Sequence, residues 1–145
     1  MKMTVIDVGA SRETFSEYIA KQSNEILVVA IEPQAEVARK IRTRRNLLVE
    51  EVAIGESFSN GTKRTFHVMA NSELSTFLDV NSEIDKELWE NHLPSLKEIR
   101  SIDVPIMSLK DLMEKHLISK IDFLKIDTQG SDIEVLESAG DRIDD

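Results

Sequence analysis

Acids or small residues follow four apolar segments of the sequence, where they could contact a polar ligand. Gly9 follows the first segment, Glu32 the second and Asp127 the fourth, and the third runs into Ala53. A glycine directly after a buried strand lets the backbone turn tightly and approach a ligand. An acid about 20 residues beyond such a turn can accept hydrogen bonds from two neighbouring ribose hydroxyls. The pattern therefore predicts a site for a nucleoside-containing ligand.

Each of these residues also has an ordinary structural interpretation. Gly9 could serve only as a turn residue, Glu32 as an acid favoured at a helix N-terminus, and Asp127 as a solvated or capping carboxylate. The spacing and the strand context agree for all three residues, and this agreement favours the ligand site.

The turn after the first segment has one glycine where the dinucleotide-binding motif Gly-x-Gly-x-x-Gly has three. Ser11 and Thr14 hold the later positions. A single glycine brings a helix N-terminus less close to a pyrophosphate, which counts against a nicotinamide-dependent oxidoreductase. A ligand with ribose and adenine but no pyrophosphate, such as S-adenosylmethionine, fits better. Its cationic sulfur suits the acids Asp7, Glu32 and Asp127.

The strands that position these residues are predicted from the apolar segments. Unbroken apolar sequence of strand length, as at 26–31, is typical of strands buried on both faces of a parallel sheet. Short runs rich in apolar and β-branched residues predict further strands at 4–8, 47–54 and 121–126, and Glu50 and Glu51 lie inside the third run. Weak alternation predicts an antiparallel strand at 65–69, and 102–107 is expected to be extended because the residue before a proline avoids the helical region.

Helix-capping patterns predict the helices between these strands. In a capping box, a Ser or Thr and an acid three positions later satisfy backbone N–H groups at a helix N-terminus. Such boxes begin three predicted helices: Thr14 with Glu17, Ser108 with Asp111, and Ser131 with Glu134. Another helix follows Pro33, an amphipathic one covers 84–89, and Gly140 ends the last.

Alternation of strands and helices predicts an α/β protein. We expect a Rossmann-like, doubly wound, mainly parallel sheet with helices on both faces. Ligands of such sheets bind beyond the carboxyl ends of the strands. The acids and small residues described above are therefore expected to meet at one edge of the sheet.

The composition excludes several classes of protein. The 145 residues are 41% hydrophobic and 31% charged, which is typical of one globular domain. The net charge of −9 disfavours a surface that clamps nucleic acid. The absence of cysteine excludes a disulfide scaffold and thiolate metal sites, and the three histidines have no ligand-type spacing, so we expect no metal.

Neither a membrane helix nor a signal peptide is predicted. No apolar run approaches the roughly 20 residues that a membrane helix needs, and no basic region precedes an apolar one at the N-terminus. We therefore expect a cytoplasmic protein without nucleic-acid or membrane partners. The Arg-rich stretch 39–45 is interpreted as charge matching to a helix C-terminus, with an anion or nucleic-acid site as the less favoured alternative.

Three segments together resemble the FkbM-type methyltransferase family. They are VIDVGA at 5–10, VAIEP at 29–33 and IDFLKIDTQGSD at 121–132, and the likeness extends to 104–112 and 134–140. The resemblance implies a class I, Rossmann-like fold that binds S-adenosylmethionine. It also implies O-methylation of a small molecule or a sugar hydroxyl.

The expected cofactor-binding residues lie at the strand ends. They are Asp7, Gly9, Ala10, Ser11, Glu32, Pro33, Val52, Ala53 and Asp127. By analogy with the family, the first three line the methionine part of the cofactor. Glu32 holds the ribose, and Val52 and Ala53 flank the adenine.

The same resemblance places Asp127 near the methionine amino group and the site of transfer. Asp127 is the candidate catalytic base, although a role in cofactor binding fits it equally well. His67 and His92 are weaker candidates for the base. Ser75 matches a serine of the family in the irregular middle of the chain.

The sequence departs from the family pattern in two ways. Glu13 stands where relatives have glycine, and three further strands would follow the helix that ends at Gly140, whereas the sequence ends at Asp145. We therefore expect 1–145 to be a single, partial domain, incomplete at its C-terminal side. The fourth strand would then be an exposed edge that promotes self-association. The same departures motivate the alternative of a non-catalytic binding module.

Overall fold

The computed structural model describes residues 3–12, 15–56, 62–78 and 97–141. Within them the chain forms seven strands, β1 (Met3–Val8), β2 (Ile26–Ile31), β3 (Leu47–Glu50), β4 (Ala53–Ile54), β5 (Lys63–Met69), β6 (Glu98–Met107) and β7 (Phe123–Ile126). The α-helices are α1 (Phe15–Gln22), α2 (Ala35–Ala38), α3 (Leu109–Lys115) and α4 (Asp132–Glu137), and a 3₁₀ turn covers Ser72–Leu74.

The main sheet is parallel throughout, in the order β3-β2-β1-β7. Alternate residues of β1 enter two different cores. Ile6 and Val8 pack in the core under α3 and α4, whereas Val5 packs in the core under α1. Helices therefore cover both faces, which confirms the predicted Rossmann-like α/β architecture. The apolar run of β2 arises because both faces of this strand are buried.

A second, smaller sheet has the order β4-β6-β5. The predicted antiparallel strand at 65–69 is confirmed, since β5 pairs antiparallel with β6. The buried residues Phe66, Val68 and Val104 form the core of this sheet. It stands over the carboxyl edge of the main sheet, because β4 follows directly from the end of β3.

The single strand predicted at 47–54 is wrong. The chain leaves the main sheet after Glu50 and joins the second sheet at Ala53, which pairs with Ile106. The break has a physical reason in the side chain of Glu50, which is largely buried between Lys115 and His116. Its carboxylate lies 2.7 Å from Lys115 Nζ and 2.6 Å from His116 Nε2. This buried pairing holds the end of β3 against α3 and turns the chain away.

One predicted capping box is confirmed and one is wrong. The Ser108 hydroxyl accepts a hydrogen bond from the Asp111 amide at 2.9 Å and caps α3. Ser131 makes no such bond at the start of α4. Instead, the Asp132 carboxylate accepts bonds from the backbone and hydroxyl of Thr128, and Glu134 pairs with Arg64. A competing partner, Arg64, has taken Glu134, the acid of the expected motif.

The helix after Pro33 is a short turn, α2, although Val37, Ala38 and Ile41 of its predicted apolar stripe are buried. Gly140 has a φ of +60°, as expected after a helix. Thr14 and the predicted helix at 84–89 lie outside the described residues.

Strand β7 is the last strand of the main sheet and pairs there with β1. Its first residue, Phe123, is 48% exposed. An apolar groove lined by Leu109, Met113, Leu124 and Leu136 runs beside it. Among the helices that the structure describes, none is long and apolar enough to cross a membrane.

Candidate functional site

A cavity opens at the carboxyl ends of the main-sheet strands, between them and the second sheet. Its open space is about 520 Å³, which includes the mouth that is continuous with solvent. Seven of the expected ligand-binding residues line it: Gly9, Ser11, Glu32, Pro33, Val52, Ala53 and Asp127. The fold thus brings together residues that are up to 118 positions apart in the sequence.

Gly9 is required by a close approach between two strand-end turns. Its φ is +78°, and a Cβ at this position would overlap the backbone carbonyl oxygen of Asp127. The amides of Gly9 and Ala10 both donate to the Ile31 carbonyl at 3.0 Å. The sequence suggested a glycine that makes room for a ligand, whereas the structure shows one that makes room for the β7 turn.

The carboxylate of Glu32 links the turn after β1 to the start of α2 beside the cavity. Its side chain is buried, and Oε2 accepts a hydrogen bond from the Ser11 amide at 3.0 Å while Oε1 accepts one from the Gln34 amide at 2.9 Å. Burial raises the pKa of Glu32, although these backbone hydrogen bonds act in the opposite direction. A carboxylate oxygen has two lone pairs, so both oxygens can still accept a bond from a ligand hydroxyl.

Asp7 and Ala10 do not line the cavity. Asp7 is completely buried, and its carboxylate accepts hydrogen bonds from the Ser16 hydroxyl at 2.7 Å and from Lys125 Nζ at 3.0 Å. Ala10 is buried in the core beneath α1. Asp7 therefore joins β1 to α1 and β7 beneath the site, and sequence alone does not distinguish this role from ligand contact.

The carboxylate of Asp127 stands at the mouth of the cavity, with its side chain 58% exposed. It accepts a hydrogen bond from Gln129 Nε2 at 3.3 Å, and Lys125 Nζ lies 4.0 Å away. Gln129 and Gly130 both have positive φ, at +55° and +109°. This turn presents the carboxylate to solvent and to the cavity together.

The segment 71–78, which follows β5, supplies lining residues that sequence reasoning missed. Ser72, Glu73 and Phe77 line the cavity, and Phe77 packs edge-on against Phe66 of β5 with 4.8 Å between ring centroids. Alternation in β5 could have indicated Phe66, but the irregular segment gives no periodic signal for Phe77. Ser75, singled out by resemblance, also lines the cavity.

Of the two histidines considered as bases, His67 is the one that lies within the described residues. His67 Nδ1 lies 3.1 Å from the Glu98 carboxylate in the second sheet, and His67 does not line the cavity. His92 lies outside the described residues. No group of three or more possible metal ligands occurs within the described ranges.

The charged residues of the cavity lining are all acids: Glu32, Glu73 and Asp127. Lys125 bonds to the buried Asp7 and also lies 4.0 Å from Asp127, and Arg64 pairs with Glu134. Like charges gathered in one concave site make its potential negative. The cavity therefore favours a cationic ligand over an anionic one.

A parallel α/β sheet with helices on both faces and a cavity at the carboxyl ends of its strands defines a Rossmann-like protein. The family model described as "Methyltransferase FkbM domain" matches residues 7–145. The chain belongs to this family and is a methyltransferase domain. No curated protein and no solved structure matches it.

Proposed function

We propose that this methyltransferase domain binds S-adenosylmethionine in the cavity and methylates a hydroxyl oxygen of a small molecule or sugar. The observation that carries the proposal is the convergence of Glu32, Ala53 and Asp127 on one acidic cavity in a member of a methyltransferase family. A cationic sulfur and a ribose are the two features of the cofactor that such a lining suits.

The residues of the cavity fit the parts of the cofactor. Glu32 retains acceptor capacity on both oxygens for the two ribose hydroxyls. Val52, Ala53 and Ile54 form an apolar wall suited to adenine. The amino group and the sulfur would lie toward Asp127. When bound, the cofactor supplies an electrophilic methyl group.

The chain's own residues would then position the acceptor and accept its proton. Methyl transfer is an in-line displacement, so alignment of the acceptor oxygen provides much of the rate enhancement. Asp127 is the candidate base, because its carboxylate is exposed at the cavity mouth and could take the hydroxyl proton as the carbon–oxygen bond forms.

The proposal is tested by titrating the folded chain with S-adenosylmethionine in a calorimeter, together with two matched variants. Glu32→Ala removes the carboxylate in the cavity, and Glu36→Ala removes an exposed carboxylate on α2. We expect Glu32→Ala to weaken binding at least about tenfold. We expect Glu36→Ala to bind like the wild type. Equal affinities for all three proteins would reject the ribose contact.

Cofactor binding without transfer would support the alternative of a non-catalytic binding module. Transfer of a labelled methyl group to a panel of polyols and sugars, compared between wild type and Asp127→Asn, distinguishes the two. Loss of transfer with retained cofactor affinity in Asp127→Asn would support its role as base. Equal transfer by both proteins would exclude that role.

A further inference from the structure

The segment 71–78, which we call the strap, crosses the cavity from the end of β2 to the end of β7. At one end Gln34 Nε2 donates a hydrogen bond to the Ser72 carbonyl at 3.2 Å. At the other end the Thr76 hydroxyl donates to the Gln129 carbonyl at 2.9 Å. Between these attachments, Glu73, Ser75 and Phe77 line the cavity.

The strap's own conformation is fixed by β5 and not by the main sheet. The backbones of Thr76 and His67 exchange hydrogen bonds at 2.8 and 3.1 Å. The Met69 amide donates to the Ser75 hydroxyl at 3.1 Å. The strap therefore belongs to the second sheet, and its bonds to Gln34 and Gln129 join it to the strand ends of the main sheet.

The bond from Thr76 to Gln129 is the better placed of the two to control the site. Thr76 is 6% exposed, so its hydroxyl is shielded from competing water. Its acceptor belongs to the turn that carries Asp127, and the Gln129 side chain donates to the Asp127 carboxylate. One hydroxyl thus joins the strap to the turn that presents the candidate base.

We infer that Thr76 is a positioning residue that latches the strap over the bound cofactor, an inference that rests on the proposed function. With the latch closed, the wall formed by Ser75 and Phe77 is in place before the ligand arrives. Without it, the ligand-free cavity spends part of its time with this wall withdrawn. The apparent association constant is then the intrinsic one multiplied by the fraction of molecules whose wall is in place, and the bound ligand dissociates faster.

Three substitutions separate the latch from a general loss of stability. Thr76→Val keeps the shape of the side chain and removes the hydroxyl, whereas Thr76→Ser keeps the hydroxyl. Thr65→Val is the matched control, because the Thr65 hydroxyl contacts Asp103 on the exposed side of β5. Thermal unfolding of each variant establishes that it is folded before ligand is added.

Affinity and dissociation rate for S-adenosylmethionine are then measured by calorimetry and stopped flow. Thr76→Val removes the bond to the Gln129 carbonyl and also the bond that the hydroxyl accepts from the Leu78 amide at 3.1 Å. It is expected to raise Kd at least about fivefold, mainly through faster dissociation. Thr76→Ser is expected to stay within about twofold of the wild type, and Thr65→Val to be unchanged. Wild-type behaviour of Thr76→Val, or an equal loss in Thr76→Ser, would overturn the inference.

If the wild type binds no cofactor, the proposed function is rejected but the latch is not. A measurement on the ligand-free protein then tests the latch by itself. ¹⁵N relaxation of the free protein is expected to show lower order parameters at Glu73 and Phe77 in Thr76→Val than in the wild type. Unchanged order parameters at both residues would show that the hydroxyl does not hold the strap.

Discussion

The carboxylate of Glu32 stabilises the fold around the cavity, and in our proposal it also binds the ribose of the cofactor. It accepts hydrogen bonds from the backbone at Ser11 and Gln34, so it fixes the turn after β1 and the start of α2. Glu32 also lines the cavity. The spacing of residues in the sequence can identify such an acid, but it does not show how much the acid contributes to stability.

The raised pKa of Glu32 predicts a pH dependence of stability. Burial raises this pKa above the ordinary value of 4.5, so the folded chain binds the proton more tightly than the unfolded chain does. The wild type should therefore lose stability relative to Glu32→Gln as pH rises from 4.5 through the raised value. Urea unfolding of both proteins between about pH 4 and pH 8 measures this difference. A constant difference, or one of opposite slope, would contradict the assignment.

Substitution of Gly9 should be far more damaging than that of a glycine in open space. Gly9→Ala places a methyl group against the Asp127 carbonyl in a left-handed backbone conformation. We expect it to lower the free energy of unfolding by more than about 3 kcal/mol. Gly140→Ala is the control, because Gly140 has a φ of +60° but no atom within 4 Å of the added Cβ. Its cost should be about 1 kcal/mol, from backbone conformation alone. Equal losses in the two variants would show that the close approach at Gly9 carries no cost.

At the level of strands and helices, local patterns predicted the parallel strands because β2 is apolar on both faces and β1 and β7 are short, mainly apolar runs. The patterns failed where a distant side chain decided the outcome. Strand 47–54 divides because Lys115 and His116 hold Glu50. The box at Ser131 fails because Arg64 takes Glu134. Phe77 enters the cavity through a segment whose position depends on contacts with Gln34 and Gln129, which no local periodicity encodes.

The outer edge of β7 leads us to expect self-association of this chain. Phe123 is 48% exposed beside an apolar groove, and an unpaired strand edge can pair with a second copy. Sedimentation velocity over a range of concentrations should show association that Phe123→Lys reduces. Ile99→Lys, which changes a residue 61% exposed on the second sheet, should leave the association unchanged. A monomer at every concentration would contradict this expectation.

Across the whole molecule, the cavity exists because two sheets are held at a fixed distance. Polar contacts connect them at several points, including the ion pairs of Arg64 with Glu134 and of Arg100 with Glu36. Glu134 also accepts a hydrogen bond from the Glu56 amide, so it clamps the end of β4 against α4. Sequence reasoning could locate the strand ends but not this second layer, because its attachments join residues about 70 positions apart.

The two ion pairs should contribute unequally to stability. Glu134 is 28% exposed and has two partners, so Glu134→Gln is expected to lower the free energy of unfolding by about 1–2 kcal/mol. Glu36 is 71% exposed in its pair with Arg100, and Glu36→Gln should leave unfolding in urea unchanged. If Glu36→Gln lowers the free energy of unfolding more than Glu134→Gln does, the claim that Glu134 makes the stronger connection between the sheets is contradicted.

Amide chemical-shift mapping with S-adenosylmethionine tests most directly that the strand-end cavity is the cofactor site. Addition of the cofactor to the ¹⁵N-labelled chain should shift the amides of Ser11, Gln34, Ala53 and Thr128, which surround the cavity. The amide of Leu124, in the groove beside β7, should stay unchanged. Absence of shifts at millimolar cofactor in folded protein, or shifts confined to that groove, would contradict the proposed site.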